Sequence, residues 1–393
     1  MNFYEPDYSR SLLSVTASIM KHYGVTDCAH ATLPELDALL KKEPENVVLI
    51  LCDGMGTAQL ARHLRPEDFL RRHLVCPIST VFPPTTTAAT TTVLSGLSPL
   101  EHSWLGWDLY FRELDQNVTA FLGVIQDTDI PAAEYNAAFT LLPYKSIFQR
   151  IREAAPDVQT HYISEFGDEK CRRFKEKTER VRLACRAEGR SFSYVYCDEP
   201  DHCMHFKGVG DAAVTARIRE LNDEIEALCR DVEDTLVLVV ADHGLVDVRW
   251  EYFKDHPALA AMLKRPPSME PRALSLFVKD GRQEEFARAF RQEFGEEMLL
   301  LTREQVYEKH LFGFGTPGGH TDGFIGDFIA LSRSELCLGW EKNKDVLKAN
   351  HAGLAAEELY VPLIAGLSLM VNLNFLLESA FSPLSFLEIV RFP

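Results

Sequence analysis

Residues 47–56 read VVLILCDGMG, an uninterrupted apolar run followed by an acid and a turn with two glycines. A short run of this kind is typical of a strand that is buried on both faces of a parallel sheet. Similar runs occur at Tyr194–Tyr196 and Leu236–Val240, and weaker ones at Phe328–Leu331 and Leu359–Ile364. Helical patterns lie between them. This alternation predicts an α/β fold in which helices sandwich a mostly parallel central sheet.

One segment departs from the alternation. Residues 273–312 have the pattern of a strand, a helix, a second strand or turn, and a second helix. We expect this segment to form a small α+β subdomain inserted into one core domain, which then comprises residues 1–272 and 313–393. A chain of 393 residues is long enough for this organisation. The apolar end of the chain, residues 367–393, is interrupted by polar residues and predicts a packing segment.

The composition excludes several classes of protein. The 41 Lys and Arg residues are outnumbered by 58 Asp and Glu residues, which gives a net charge of −17. A surface this acidic repels polyphosphate backbones, so we expect no nucleic acid partner. No stretch approaches the roughly 18 apolar residues of a membrane span, so no membrane association is expected. The acidic start of the chain and nine cysteines without a CxxC pair predict a cytoplasmic protein with reduced thiols.

Three of the apolar runs end in acids. Asp53 follows the first run, Asp201 and His205 follow the second, and the adjacent pair Asp242 and His243 follows the third. Ligands of open α/β sheets bind beyond the carboxyl ends of the strands, so we expect these side chains to converge. Because carboxylate oxygen and imidazole nitrogen suit Zn²⁺ and similar ions, the pattern predicts a metal site.

Two further stretches supply candidates. His320 lies in the Gly-rich sequence GTPGGHTDG, and it would bring the ligands to six, enough for two metals that share a substrate. Residues 79–102, STVFPPTTTAATTTVLSGLSPLEH, contain a threonine cluster at the predicted start of a helix. These threonines either cap the helix or provide a hydroxyl that a metal activates as a nucleophile at the helix N-terminus.

Five motifs occur in the order VVLILCDGMG, FPPTTTAATTTVLSGLSPLEH, DEPDHCMHFKG, VVADHG and GGHTDG. In this order they resemble the alkaline phosphatase superfamily, and specifically its nucleotide pyrophosphatase/phosphodiesterase branch. The resemblance spans Val47 to Ile364 and includes HAGLAAEELYVPLIAG as the closing strand. It implies an alkaline-phosphatase-like fold and a metal-dependent phosphohydrolase that cleaves phosphodiester or pyrophosphate bonds of a small substrate, such as a nucleotide.

The resemblance also implies a role for each site residue. Thr86 lies ten residues before Gly96 and four after Phe82, which is the spacing of the family's nucleophile, so a phosphothreonine intermediate is implied. Two divalent metal ions per chain are implied, with Zn²⁺ expected and Mn²⁺ as the alternative. One ion would be held by Asp201, His205 and His320, and the other by Asp53, Thr86, Asp242 and His243.

One position departs from the family pattern. Phosphodiesterases of the family commonly carry an Asn three residues after the nucleophile, and this chain has Ala89 there. The departure keeps open a phosphomonoesterase or a phosphonate hydrolase that uses the same site. A non-catalytic metal-binding protein is a more remote alternative. The sequence does not indicate an oligomeric state.

Overall fold

The computed structural model describes residues 4–342 and 346–368. The expected packing role of residues 367–393 therefore concerns a segment that lies, from residue 369 onward, outside the described residues. Among the described residues, no helix combines the length and the apolar character that crossing a membrane requires.

The strands of this part of the chain are β1 (Asn46–Cys52), β2 (Leu74–Ser79), β3 (Asp108–Phe111), β4 (Gln116–Thr119), β5 (Val124–Ile125), β6 (Gln159–Ser164), β7 (Glu169–Lys170), β8 (Ser191–Cys197), β9 (Thr235–Val240), β10 (Val246–Asp247), β11 (Arg249–Tyr252), β12 (Ser268–Glu270), β13 (Ala273–Leu276), β14 (Met298–Thr302), β15 (Phe328–Ser332), β16 (Leu336–Gly339), β17 (Ala349–Asn350) and β18 (Tyr360–Ser368). The helices are α1 (Leu12–His22), α2 (Pro34–Leu40), α3 (Thr57–His63), α4 (Phe69–Arg72), α5 (Thr86–Ser95), α6 (Pro99–His102), α7 (Ala137–Leu141), α8 (Ile147–Ala154), α9 (Phe174–Arg186), α10 (Asp201–Lys207), α11 (Ala212–Asp231), α12 (Pro257–Ala260), α13 (Gln283–Phe294), α14 (Arg303–Glu308), α15 (Thr321–Phe324) and α16 (Ala356–Leu359).

The central sheet has the strand order β2-β18-β9-β1-β8-β6-β7. Its middle strand, β1, pairs in parallel with both β8 and β9, whereas β18 runs antiparallel to β9 and β2. Every residue of β1 and β9 is buried, because side chains of the flanking helices pack on the sheet in one large hydrophobic core. The predicted α/β fold with a mostly parallel sheet sandwiched by helices is confirmed.

A second sheet has the order β14-β15-β13-β12-β3-β4-β5. The segment 273–312 contributes β13 and β14 to it, but these two strands are separated by β15, which comes from later in the chain. The other strands come from residues 108–125 and 268–270. The strands of segment 273–312 thus pair with strands from outside it, and the boundaries of the inserted subdomain stay a prediction.

A buried ion pair joins the second sheet to the segment that enters β18. Arg272, in the turn between β12 and β13, donates from Nε and Nη2 to the two carboxylate oxygens of Glu358 in α16, over 2.7 and 2.9 Å. Both side chains are fully buried. Oε1 of Glu358 also accepts the amide of Gly353 at 2.8 Å. The pair therefore fixes the chain on the approach to β18.

Removing one partner of this pair tests its contribution to stability. We expect Glu358→Gln to lower the free energy of unfolding by about 3–5 kcal/mol, because Arg272 would keep a buried, uncompensated charge. Asp280→Asn breaks the exposed ion pair with Lys264 and should cost less than about 1 kcal/mol. Urea unfolding of both variants measures the difference, and equal costs would contradict the assigned role.

Candidate metal centre

Three carboxylates lie together at the carboxyl edge of the central sheet. The parallel strands β1, β8 and β9 pair in register and end at the same level, so the residues that follow them meet. The amide of Asp201 donates to the carbonyl of Asp53 at 3.1 Å, and the amide of Gly54 donates to Oδ1 of Asp242 at 3.0 Å. These bonds connect the three loops and fix the carboxylates relative to one another.

Each of these carboxylates has one buried oxygen without a hydrogen-bond partner: Oδ1 of Asp53, Oδ1 of Asp201 and Oδ2 of Asp242. Burial raises the pKa of Asp53, and repulsion from the other two carboxylates adds to the shift. Burial also raises the pKa of Asp242. Unpaired buried oxygens are costly, and a bound divalent cation would both satisfy them and remove the repulsion. The three carboxylates therefore fit a metal site.

Three histidines, His205, His243 and His351, lie beside these acids. The Nδ1 atoms of His205, His243 and His351 lie 2.8, 3.3 and 3.1 Å from backbone carbonyl oxygens. A carbonyl oxygen only accepts, so Nδ1 is the donor in each contact and the other nitrogen of the ring, Nε2, is left to face the acids. Hydrogen bonds of this kind orient metal-binding histidines in proteins. Burial, followed by repulsion from His243, holds the pKa of His351 well below its usual value, which favours the neutral ring.

The ligand atoms form two overlapping groups, in each of which they lie within 4.8 Å of one another. Asp201, His205 and His351 make up the first group, and Asp53, Asp201 and His243 make up the second. Oδ2 of Asp242 lies 3.5 Å from Nε2 of His243, beside the second group. Mixed oxygen and imidazole donors suit Zn²⁺ and related ions, and two adjacent groups suit two ions.

The hydroxyl of Thr86 points into the second group. Thr86 is the first residue of α5, and its Oγ1 lies 3.3 Å from Oδ2 of Asp53 and 3.2 Å from Nε2 of His243. The preceding hydroxyl, that of Thr85, donates instead to Glu270 at 2.6 Å. The following hydroxyl, that of Thr87, is buried without a hydrogen-bond partner. Thr86 is thus the one of these three threonines whose hydroxyl contacts the candidate ligands.

The predicted ligand His320 belongs to neither group. Its Nε2 lies 3.2 Å from Oε1 of Glu113, and its ring stacks on Phe324. The stretch around His320 begins α15, which packs against β3 of the second sheet. His351, and not His320, lies beside Asp201 and His205 in the first group.

Sequence reasoning missed two residues at this centre. His351 follows the two-residue strand β17, and the pairing of β17 with β10 brings it to the site from about a hundred residues beyond Asp242. The only local signal for His351 was its position at the start of the motif HAGLAAEELYVPLIAG. The hydroxyl of Tyr196, at the end of β8, donates to Oδ2 of Asp53 at 2.6 Å. Because Tyr196 lies within an apolar run, the sequence pattern gave no sign of its polar contact.

Buried carboxylates, imidazoles and a threonine hydroxyl at the carboxyl edge of a mostly parallel sheet are the arrangement of metal-dependent hydrolases with an alkaline-phosphatase-like fold. The profile of the family described as type I phosphodiesterase / nucleotide pyrophosphatase matches residues 47–338, more than half of the chain. The protein belongs to this family. No curated protein sequence matches the chain significantly.

Solved structures agree with this fold. Murine ectonucleotide pyrophosphatase/phosphodiesterase 5, as an inactive variant in complex with AMP, superposes with a TM-score of 0.61 at 14% identity, over 82% of this chain and 91% of that one. The human form has the same TM-score, identity and coverage. Phosphonoacetate hydrolase from Sinorhizobium meliloti 1021, in complex with phosphonoacetate, gives 0.59 at 15% identity, over 83% and 90%.

His351 and His320 provide a matched test of the metal centre. His351→Ala removes an Nε2 from the first ligand group, so we expect metal affinity to fall by at least roughly tenfold. His320→Ala should leave affinity unchanged, because that ring contacts Glu113. Titration of the apo variants with Zn²⁺ in a calorimeter measures both. Loss of affinity in His320→Ala with normal affinity in His351→Ala would restore the original assignment.

Gly54 controls the distance between two of the carboxylates. Its φ is 72°, and a Cβ there would lie 2.9 Å from the Cα of Asp201. Gly189 has a φ of 92° with nothing within 4 Å of its Cβ position. Both Gly→Ala variants should pay about 1–2 kcal/mol of backbone strain, but only Gly54→Ala should also lose metal affinity, since it displaces Asp201. Urea unfolding and metal titration separate the two effects, and intact metal affinity in Gly54→Ala would contradict this account.

Proposed function

We propose that the protein hydrolyses phosphodiester or pyrophosphate bonds of a small phosphorylated substrate, with Thr86 as the nucleophile. The observation that carries this proposal is the position of the Thr86 hydroxyl, within 3.3 Å of both Asp53 and His243. Membership of the phosphodiesterase family supports the reaction class. The cytoplasmic location indicated by the sequence remains a prediction.

The proposed cofactor is a pair of divalent ions, Zn²⁺ or Mn²⁺. When bound, such ions would lower the pKa of the nucleophile and offset the negative charge of the phosphoryl group. The carboxylate oxygens that lack a hydrogen-bond partner and the histidine rings grouped with them support this assignment. One ion would be held by Asp201, His205 and His351, and the other by Asp53, Thr86, Asp242 and His243.

The reaction proceeds in two displacements at phosphorus. Oγ1 of Thr86 loses its proton and forms a bond to phosphorus, while the ester oxygen of the leaving alcohol or phosphate departs with the bonding electrons and takes up a proton in exchange. Water then attacks the phosphothreonine and restores the hydroxyl. The amides of the first turn of α5 have no partner within the helix, and they are suited to hold phosphate oxygens during both steps.

A second candidate function rests on Ala89. This residue of α5 is fully buried in the hydrophobic core, and its side chain offers no donor to a phosphate oxygen. A phosphomonoesterase or phosphonate hydrolase on the same site is therefore the alternative, and the fold is shared with phosphonoacetate hydrolase. Family membership favours an enzyme over the non-catalytic alternative.

Two isosteric substitutions test the nucleophile. Thr86→Val removes the hydroxyl at the ligand cluster, and we expect turnover of bis-p-nitrophenyl phosphate to fall by at least about a thousandfold, because the covalent route is lost. Thr87→Val removes a buried hydroxyl that has no partner, so activity should persist. Release of p-nitrophenol by the Zn²⁺-loaded proteins measures both. Activity that survives in Thr86→Val but not in Thr87→Val would move the nucleophile by one residue.

The choice between the two functions depends on substrate preference. We expect kcat/KM for bis-p-nitrophenyl phosphate to exceed that for p-nitrophenyl phosphate with the wild-type protein. A preference for the monoester, or release of phosphate from phosphonoacetate, would replace the phosphodiesterase by the second candidate. Thr86→Val serves as the blank in every assay.

A further inference from the structure

Thr85, the residue before α5, has the backbone of an N-cap, but its side chain does not cap the helix. Its φ of −142° and ψ of 148° lie in the extended region that N-cap residues adopt, and its carbonyl accepts the amide of Ala89 at 3.0 Å. A threonine in this position normally accepts an amide of the first turn with its hydroxyl. Thr302 does so at the start of α14, where its hydroxyl accepts the amide of Gln305. In the described part of the chain, no helix amide donates to the hydroxyl of Thr85.

Glu270, at the end of β12, holds this hydroxyl away from the helix. Oγ1 of Thr85 donates to Oε1 of Glu270 at 2.6 Å, and both side chains are buried. The same oxygen accepts the amide of Trp107 at 2.7 Å, so Glu270 connects the start of α5 to the residue before β3. Burial raises the pKa of Glu270 to about 8. A carboxylic acid and a carboxylate both offer an acceptor oxygen, so the bond from Thr85 is available to either form.

The backbone next to Glu270 is strained. Met269 is buried and has a φ of 73°, which is uncommon for any residue other than glycine. Gly106 lies against it, and a Cβ at Gly106 would come within 2.8 Å of the Cα of Met269. Strain of this kind persists only where the surrounding structure fixes the chain, and it is concentrated at functional sites. The strain therefore indicates that the position of Glu270 matters beyond the pairing of β12.

The first turn of α5 is left open by this arrangement. The amides of residues 86–88 have no hydrogen-bond acceptor in the part of the chain that the structure describes. Amides at a helix N-terminus carry partial positive charge and favour an anion. Because the side chain of Ala89 is no donor, phosphate oxygens beside Thr86 depend on these amides. A hydroxyl of Thr85 that turned back onto the helix would occupy one of them.

We propose that Glu270 is a positioning residue for phosphate binding: it keeps the hydroxyl of Thr85 from capping α5 and so leaves the first-turn amides free for the phosphate oxygens of the substrate. The inference rests on the proposed function and adds a residue of the second sheet to its site. Glu270 acts through Thr85 and not by direct contact with the substrate. One hydrogen bond between the second sheet and α5 thus sets how strongly the helix N-terminus binds an anion.

Binding of orthophosphate to the metal-loaded protein tests the inference without turnover. Glu270→Met keeps the length of the side chain and removes its acceptor, so the hydroxyl of Thr85 can turn back and cap α5. We expect the affinity for orthophosphate to fall by about fivefold, because the anion must then displace a capping hydrogen bond. Calorimetric titration measures the affinity, and circular dichroism checks the fold. Unchanged affinity in folded Glu270→Met, or no binding of orthophosphate to the wild-type protein, would overturn the proposal.

Three companion variants separate this role from a general loss of structure. Glu270→Gln retains an acceptor oxygen and should bind orthophosphate as the wild type does. The double variant Glu270→Met/Thr85→Val has no hydroxyl that could cap α5, so its affinity should return to the wild-type value. Thr85→Val alone should also keep that value, and it decides the question if Glu270→Met does not fold. Weak binding in Thr85→Val or in the double variant would show that Glu270 only anchors the turn, and would refute the inference.

Turnover connects the binding result to the reaction. We expect kcat/KM for bis-p-nitrophenyl phosphate to fall by about fivefold in Glu270→Met, in parallel with the affinity for orthophosphate, and to recover in the double variant. A kcat/KM that the double variant does not restore would contradict the inference. Failure of the proposed function itself is distinguishable, because bis-p-nitrophenyl phosphate would then stay intact with every protein, including the wild type, while the orthophosphate titration still reports on α5.

Discussion

The close approach of three carboxylates, two of them fully buried, is the constraint on which the site depends. Asp53, Asp201 and Asp242 are held together by in-register parallel strands and by backbone hydrogen bonds between their loops. An arrangement of this kind stores unfavourable free energy in the absence of a cation. The apolar residues of β1, β8 and β9 offset that cost, because they provide the buried sheet that fixes the strand ends. Stability of the sheet and reactivity of its edge are thus two results of the same packing.

The three histidines are held in fixed orientations beside these carboxylates. Each Nδ1 contacts a carbonyl oxygen of a different backbone segment, so the main chain helps to orient every ring. His351 depends most on distant structure, since its segment is fixed by β10–β17 pairing and by the Arg272–Glu358 ion pair. A substitution far from the site can therefore change the position of a ligand without changing its chemistry.

The sequence predicts the acids of the site well and the last histidine poorly, for a physical reason. An acid directly after a buried apolar run is placed by its own strand, so Asp53 and Asp242 can be located from local pattern alone. His351 and His320 both lie near glycine-containing turns, and only long-range pairing decides which of them reaches the acids. The segment 273–312 shows the same limit: its elements are visible locally, but the neighbours of β13 and β14 are not.

The Arg272–Glu358 ion pair couples the stability of the two sheets. Glu358 also holds the amide of Gly353, two residues after His351, so the second sheet and a ligand of the first metal group are fixed by one side chain. A metal ion that binds only the native arrangement therefore stabilises the conformations in which this ion pair is formed. The unfolding temperature of the second sheet is therefore linked to the free concentration of an ion that this sheet does not itself bind.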